Sequence, residues 1–555
     1  MSTECLPIAT LPHTTRLFRD FLAMGDCAAS PVRAWYGAGP FGSEWMKPAA
    51  ASPHAAVLAD ALDAQSRAFG AGPATLANIA KLRAGARAIV TGQQVVLLGG
   101  PLLTLLKAAT AIARARQATA ETGIDHVPIF WLATEDHDLA EVDQVSLLSK
   151  SAVETPRLGA KPTPYAAPTG NVVLDDSIDG LLDQASDLMH HAPICDLLRE
   201  CYAYQPTNDN GPTFASAIAR LMTRLFASHG LIVMDAAGRD FHALGASTLR
   251  YAIEYAEELE TALLARSVEL ESAGYHAQVL VKPGSSLLFL ISEVEGAQNR
   301  QALHRLPDGS WQAGTGNSAA SYSTADLLAI LDAAPERLSP NALLRPVFQD
   351  TILPTTAYIG GPAEVAYFAQ SAVLYQRILG RITPILPRLS ATLIEPAIGA
   401  MMAQHEVSLP DAMHSSEELA QQLAARALPS EAKRRLADAG NALDAALTAA
   451  QEYLASLDAS LGRAAEVSAS KMRYQMDRLR RLAATTEMHR EASLQKHAEA
   501  ITLHLFPNAH PQERVLAGVW FLAAWESTHG DSTGLIARLV DEAASQSADH
   551  LVIRL

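Results

Sequence analysis

The sequence predicts an α/β chain: a Rossmann-like parallel-sheet core with inserted connecting segments, followed by a C-terminal α-helical coiled-coil arm. Three observations carry that prediction. Two distant stretches share the order apolar strand, Gly-Gly-Pro, helix. A third apolar run, "VPIFWLA", stops abruptly at "TEDHD". From residue 415 to 505 the texture changes to Ala, Leu, Glu, Gln and Arg, with Pro429 as the only proline.

The first stretch, "ARAIVTGQQVVLLGG" (86–100), is an apolar strand followed by Thr-Gly-Gln-Gln and the Gly99-Gly100 pair. Behind it Leu102, Leu105, Leu106, Ala109, Ile112 and Ala113 recur at helical spacing. Pro101 suits the first turn of that helix and Gly123 its end. "VPIFWLA" (127–133) then reads as a buried strand, and "GLIVMDAAG" (230–238) as another, preceded by the helical "FASAIARLMTRLFASH". The second Gly-Gly-Pro unit closes the core: "ALLRPVFQDTILPTTAYIGG", a helix from Pro362 to Gly380, and "ITPILPRLSATLIE".

Between these elements lie two inserts. Residues 150–210 are rich in Pro, Asp, Ser and Asn, while 270–335 carries strand signals in "HAQVLV" and "SLLFLI". The expected segments are therefore core over 1–149, 211–269 and 336–414, inserts over 150–210 and 270–335, the arm over 415–505, and a helical segment packing on the core over 506–555. In the arm, Leu436, Ala439, Leu443, Leu447, Ala450, Leu454, Leu457 and Leu461, then Met472, Met476, Leu479 and Leu482, keep three-and-four spacing. That seam predicts an antiparallel hairpin turning near "SLDASL", suited to self-association or to packing as a helical bundle.

Composition excludes several classes. With 555 residues, the chain exceeds one ordinary core. At 49% hydrophobic and 18% charged it is globular rather than disordered. A formal net charge of −16 disfavours nucleic acid, which needs a basic surface to displace counterions. Four cysteines, Cys5, Cys27, Cys195 and Cys201, form no CxxC pair and argue against structural zinc or a disulfide framework. The N-terminus lacks the apolar core of a signal peptide. "VLAGVWFLAAW" (515–525) is too short to span a bilayer and reads as a buried helix. No membrane association and a cytoplasmic setting are expected.

Parallel α/β sheets bind ligands beyond the C-terminal ends of their strands. Both turns, Gly99-Gly100-Pro101 and Gly360-Gly361-Pro362, are expected at that edge, where glycine permits close approach and helix N-termini attract anions. The competing reading is two well-capped structural helices. Gln93 and Gln94 offer amides to a polar ligand or satisfy their own loop. Lys107 reaches back along its helix toward an anion, or is an ordinary solvated lysine.

Glu135, Asp136 and His137 follow their strand directly, and carboxylates flanking a histidine fix its tautomer and tune proton transfer. Asp138 and Glu141 have the spacing of a capping box. Carboxylates and a histidine can also ligate metal, but no second His or Cys stands at ligand spacing, so no metal is expected. Near the second turn, Tyr358, Glu364 and Tyr367 share the edge, with Glu364 and Tyr367 on one helix face. Arg388 either clamps a carboxylate or phosphate or forms an internal ion pair, and Ser390 follows it.

Together, "TGQQVVLLGGPLLTLLKA", "PIFWLATEDHDLAEV", "LRPVFQDTILPTTAYIGGPAEVAYFAQ", "LPRLSATLIEP" and "LFPNAHPQERVLAGVWFL" closely resemble the bacillithiol-biosynthesis cysteine-adding enzyme family, in order over nearly the whole chain. The resemblance implies a ligase that joins the cysteine carboxyl to the glucosamine amine of glucosaminyl-malate, the last step of that synthesis. It also implies a homodimer through the coiled coil and association with ATP or ADP. On that chemistry His137, oriented by Glu135 or Asp136, is the expected base. The two helix N-termini and Arg388 are expected to bind anions. Gln93, Gln94, Glu364 and Tyr367 are expected to position the sugar or the cysteine ammonium. Leu103 and Ala363 depart from the family pattern, which usually has Tyr and Gly there. Two other functions remain open at this level: an adenylyl-transferring enzyme for another amine and acid, and a non-enzymatic nucleotide-sensing dimer.

Overall fold

Five parallel strands form the central sheet: β1 (Arg87–Gln94), β2 (His126–Ala133), β3 (Ile232–Asp235), β4 (Thr355–Gly360) and β5 (Ile385–Pro387), in the order β5-β4-β1-β2-β3. Their continuous apolar runs follow from burial on both faces, as in β2, where His126 through Leu132 are all buried. The computed structural model describes residues 4–24, 32–159, 166–204, 211–314, 319–490, 492–545 and 547–555. Cys5, Cys195 and Cys201 are free thiols, and Cys27 lies outside the described residues. No described helix is long and apolar enough to cross a membrane.

The chain divides into two units. The larger comprises Met1–Ser149, Glu154–Thr392 and Glu513–Ile553. The smaller comprises Lys150–Val153, Leu393–Gln512 and Arg554–Leu555. The division after Thr392 falls earlier than the change of texture at 415, because Pro396–Gln404 and Leu409–Ala412 are short helices of the smaller unit that lack the arm's repetitive composition.

In the larger unit the helix α1 (Leu103–Thr122) follows β1, and Gly123 closes it in a left-handed cap. Helix α2 (Phe214–Leu225) precedes β3, and α3 (Arg239–Glu254) follows it. The segment before β4 holds a helix, α4 (Arg345–Ile352), with Pro346 in its first turn. Helix α5 (Pro362–Leu379) follows β4 directly and ends at left-handed Gly380. The two Gly-Gly-Pro turns thus differ. After β1, Val95–Leu102 intervene, Pro101 lies outside α1, and Leu98, Gly99 and Gly100 all take positive φ.

Ser285–Val294, Ala297–Arg305, Trp311–Ala313, Ala320–Tyr322 and Leu338–Pro340 build a separate antiparallel sheet, with Leu338–Pro340 beside Ser285–Val294. "HAQVLV" (276–281) is not a strand there. The Gln370 side chain takes the place of a neighbouring strand, bonding the Val279 N–H and C=O at 2.9 and 2.8 Å.

In the smaller unit, α6 (Ser430–Leu457) and α7 (Ala459–Arg490) form the hairpin, turning at Asp458, whose carboxylate caps α7 through the Ser460 N–H at 2.7 Å. The single seam expected over both helices divides. Leu436, Leu443, Leu447 and Leu454 pack inward with Gly440 and Met476, while Leu457, Leu461, Met472, Leu479 and Leu482 face solvent.

Candidate active site

A cavity of about 590 Å³ opens at the C-terminal edge of the sheet, all of it within the larger unit. Of the residues expected there, Gln93, Gln94, Lys107, Glu135, Asp136, His137, Gly361, Glu364, Tyr367 and Arg388 line it. Leu103 and Ala363 line it as well. Asp138, Tyr358, Gly360 and Ser390 are not among the residues that line it. Gly99 and Gly100 face elsewhere: a side chain on Gly99 would meet Leu221 of α2, and the Gly100 carbonyl accepts from the Gly518 N–H.

Lys107 is 4% exposed, so it is not a solvated lysine. Its Nζ donates at 2.8 Å to the Gly92 carbonyl, to Gln93 Oε1 and to Glu364 Oε1. Burial pulls the ammonium below its ordinary pKa, although Glu364 opposes the shift. The Tyr358 hydroxyl also donates to Glu364 Oε1, at 2.9 Å, while Glu364 Oε2 accepts from the Gly361 N–H at 2.6 Å. Glu364 therefore satisfies the N–H that precedes α5 and sets a carboxylate at the start of that helix. At α1 the Leu102 N–H is likewise taken, by the Leu516 carbonyl.

The acids after β2 diverge. Glu135 Oε1 lies 3.1 Å from Nε2 of His242, a fully buried histidine on α3. Burial disfavours the His242 cation, but the Glu135 carboxylate outweighs it and raises the pKa. Close to this pair, half-buried Asp235 accepts from the Thr134 hydroxyl at 2.6 Å, and desolvation raises its carboxyl pKa. Asp136 accepts from Gln94 Nε2 at 2.7 Å and from the His137 N–H at 2.8 Å. Burial opposes its ionisation, yet those bonds hold the carboxyl below its ordinary range. The Asp138 side chain makes no cap bond, and Glu141 turns instead to Gln94 at 3.0 Å, so the expected capping box does not form.

His137 is oriented by neither neighbouring acid. Its Nδ1 stands 3.8 Å from Asp136 Oδ1, too far for a hydrogen bond, and accepts from Arg300 Nη1 at 3.0 Å. Arg388 forms the internal ion pair: Nη2 donates to Glu513 Oε1 at 2.6 Å, with both side chains buried. Glu513 also accepts from the Ala391 N–H at 2.9 Å and from the Ser390 hydroxyl. Ser390 and Thr392 each meet a nitrogen of buried His550 at 2.8 Å, and burial lowers the His550 pKa to about 4.

Sequence reasoning missed Arg300, Asn341, Arg345 and Arg514, all on the cavity wall. No salt bridge joins Arg345 or Arg514 to an acid among the described residues. The only local signal was "LLRP", where Pro346 starts a helix and places Arg345 at its first turn. No group of three or more His, Cys, Asp or Glu is placed to hold a metal ion among the described residues.

The model for the N-terminal Rossmann-like domain of bacillithiol biosynthesis BshC matches residues 1–389, and that for its C-terminal coiled-coil domain matches 391–555. A Koribacter versatilis protein named "Putative cysteine ligase BshC" is 42% identical over the whole of both chains. Proteins of the same name are 34% identical over the whole of both chains in Solibacter usitatus, and 30% identical over 84% of each in Salinibacter ruber. Among solved structures, methionyl-tRNA synthetase of Mycobacterium tuberculosis aligns with 81% of this chain and 93% of its own at 11% identity, with a TM-score of 0.22 that carries no argument. With both domain models matched in order and relatives alike from end to end, the chain belongs to the BshC family of bacillithiol biosynthesis.

Proposed function

We propose that the protein is a cysteine ligase that joins the carboxyl of L-cysteine to the glucosamine amine of glucosaminyl-malate, the last step of bacillithiol synthesis. The names of its relatives support the reaction class. The observation that carries the substrate is that groups of both charges line the cavity. Asp136 lines it together with Arg345 and Arg514, whose guanidinium groups form no salt bridge among the described residues. A substrate bearing both an amine and two carboxylates matches that lining.

Asp136, held ionised by its bonds, attracts the amine, and Arg345 and Arg514 receive the malate carboxylates. Amide formation from a free carboxylate needs activation, for which ATP is the proposed co-substrate. With the Glu364 carboxylate at the start of α5, its phosphates would depend chiefly on the cavity arginines. Glucosaminyl-malate, cysteine and the protein, with and without ATP, should yield the thiol product by mass. Arg345→Met should lower kcat/KM about 10–150-fold, the loss of one charged hydrogen bond. Nucleotide binding with no product in any arm would refute the ligase and favour a sensor.

The proposed assembly is a homodimer through the arm. Tyr453, Val467, Tyr474, Leu479 and Leu482 are each more than half exposed on the hairpin, apolar side chains that a second copy of the arm would cover. Light scattering should give twice the chain mass for the native protein, and the single chain mass for Leu479→Glu/Leu482→Glu. A native monomer at micromolar concentration would end this proposal.

A further inference from the structure

We propose that Arg300 is a positioning residue: it locks His137 into the tautomer that carries its proton on Nε2, so that His137 serves the cavity as a hydrogen-bond donor and not as a base. The inference deepens the ligase reading and rests on it for the identity of the acceptor, the acyl oxygen of the cysteine under transfer.

Arg300 lies on the Ala297–Arg305 strand of the antiparallel sheet and is 7% exposed. Each arm of its guanidinium is spoken for. Nε donates to Ser339 Oγ at 2.9 Å, Nη2 to the Pro340 carbonyl at 3.2 Å, and Nη1 to His137 Nδ1 at 3.0 Å. The group also lies over the Phe289 ring, 3.6 Å from its centroid. Its backbone N–H donates to the Ala166 carbonyl at 2.8 Å, which fixes the strand that carries it.

A guanidinium can only donate, so the nitrogen it meets must be a bare acceptor. Nδ1 of His137 therefore carries no hydrogen, and the proton of the neutral ring sits on Nε2. Protonating Nδ1 would set two donors against each other 3.0 Å apart beside a buried cation. Asp136 does not compensate, since its Oδ1 is engaged by the His137 backbone N–H and stands 3.8 Å from the ring nitrogen. For His137 to act as a base, Nε2 would have to be bare, which this arrangement forbids. A fixed N–H is instead what a tetrahedral oxyanion requires, because a donor set in advance needs no reorganisation as charge develops.

Two measurements test the proposal. In full-length protein labelled with 15N-histidine, the signal absent from His137→Gln belongs to His137. At pH 8 it should report a bare Nδ1 and a protonated Nε2, and Arg300→Met should let the proton of the same ring distribute over both nitrogens. A His137 signal protonated on Nδ1 at pH 8, or one unmoved by Arg300→Met, would overturn the assignment. In the ligase assay, His137→Gln keeps an N–H donor but has no basic nitrogen, so it should retain activity within about tenfold, while His137→Ala should lose about 100–1,000-fold. Equal collapse of both variants would refute the donor role even if Arg300→Met failed to fold. Absence of product from the native protein would sink the ligase reading alone, leaving the tautomer measurement to judge Arg300.

Discussion

Glu513→Ala should destabilise the larger unit by about 3–5 kcal/mol, the usual cost of stranding one member of a buried ion pair. Arg388 would lose its 2.6 Å partner, and the Ala391 N–H and Ser390 hydroxyl would lose their acceptor. The double variant Arg388→Met/Glu513→Leu should recover most of the loss, since no charge is then left buried. The pH dependence has a definite sign. Burial opposes ionisation of Glu513, but Arg388 outweighs it and the carboxyl is held below its ordinary value of 4.5. Its contribution is therefore complete above about pH 4.5 and is lost as pH falls through the folded value. Urea unfolding of the native protein and Glu513→Gln should differ most at pH 7 and converge in acid. A difference under about 1 kcal/mol at pH 7 would show that the pair does not hold this wall.

Lys107→Met should have a comparable effect on stability, about 3–5 kcal/mol, because the Glu364 carboxylate would remain nearly buried without its cation. It should also reduce product formation at least tenfold, since the same ammonium ties the end of β1 to the start of α5 across the cavity floor. Lys107→Met/Glu364→Gln separates the two effects. Folding should return toward native by denaturant titration, while activity should stay low. Recovery of both would mean that the ammonium matters only as a counter-charge.

The sheet was legible because strands buried on both faces must be continuously apolar, and both Gly-terminated helices announced their ends. The site was legible only where chemistry sits next to a strand end, as at Gln93–Gln94 and Glu135–His137. What bonds to what was not. His137 and Arg300 are 163 residues apart, and Arg388 and Glu513 are 125 apart, so no local pattern could show that one arginine would hold a histidine and another an internal acid. The capping box failed for a similar reason: Gln94, brought in from the neighbouring strand, draws Glu141 away. The likeness of the two Gly-Gly-Pro turns was misleading because an eight-residue interval after β1 turns the first pair toward α2.

The strand order also sets a timetable for synthesis. β1 finds β2 within about 40 residues, and β2 finds β3 about 100 residues later, but the other edge of β1 waits for β4, roughly 260 residues after β1. At ribosomal speed that interval is about 13–50 s, during which a long apolar edge stands open. An unpaired strand of this kind invites pairing with other nascent chains. Slowing translation after β3 should therefore lower the soluble yield, and a chaperone that covers β1 until residue 360 has emerged should restore it.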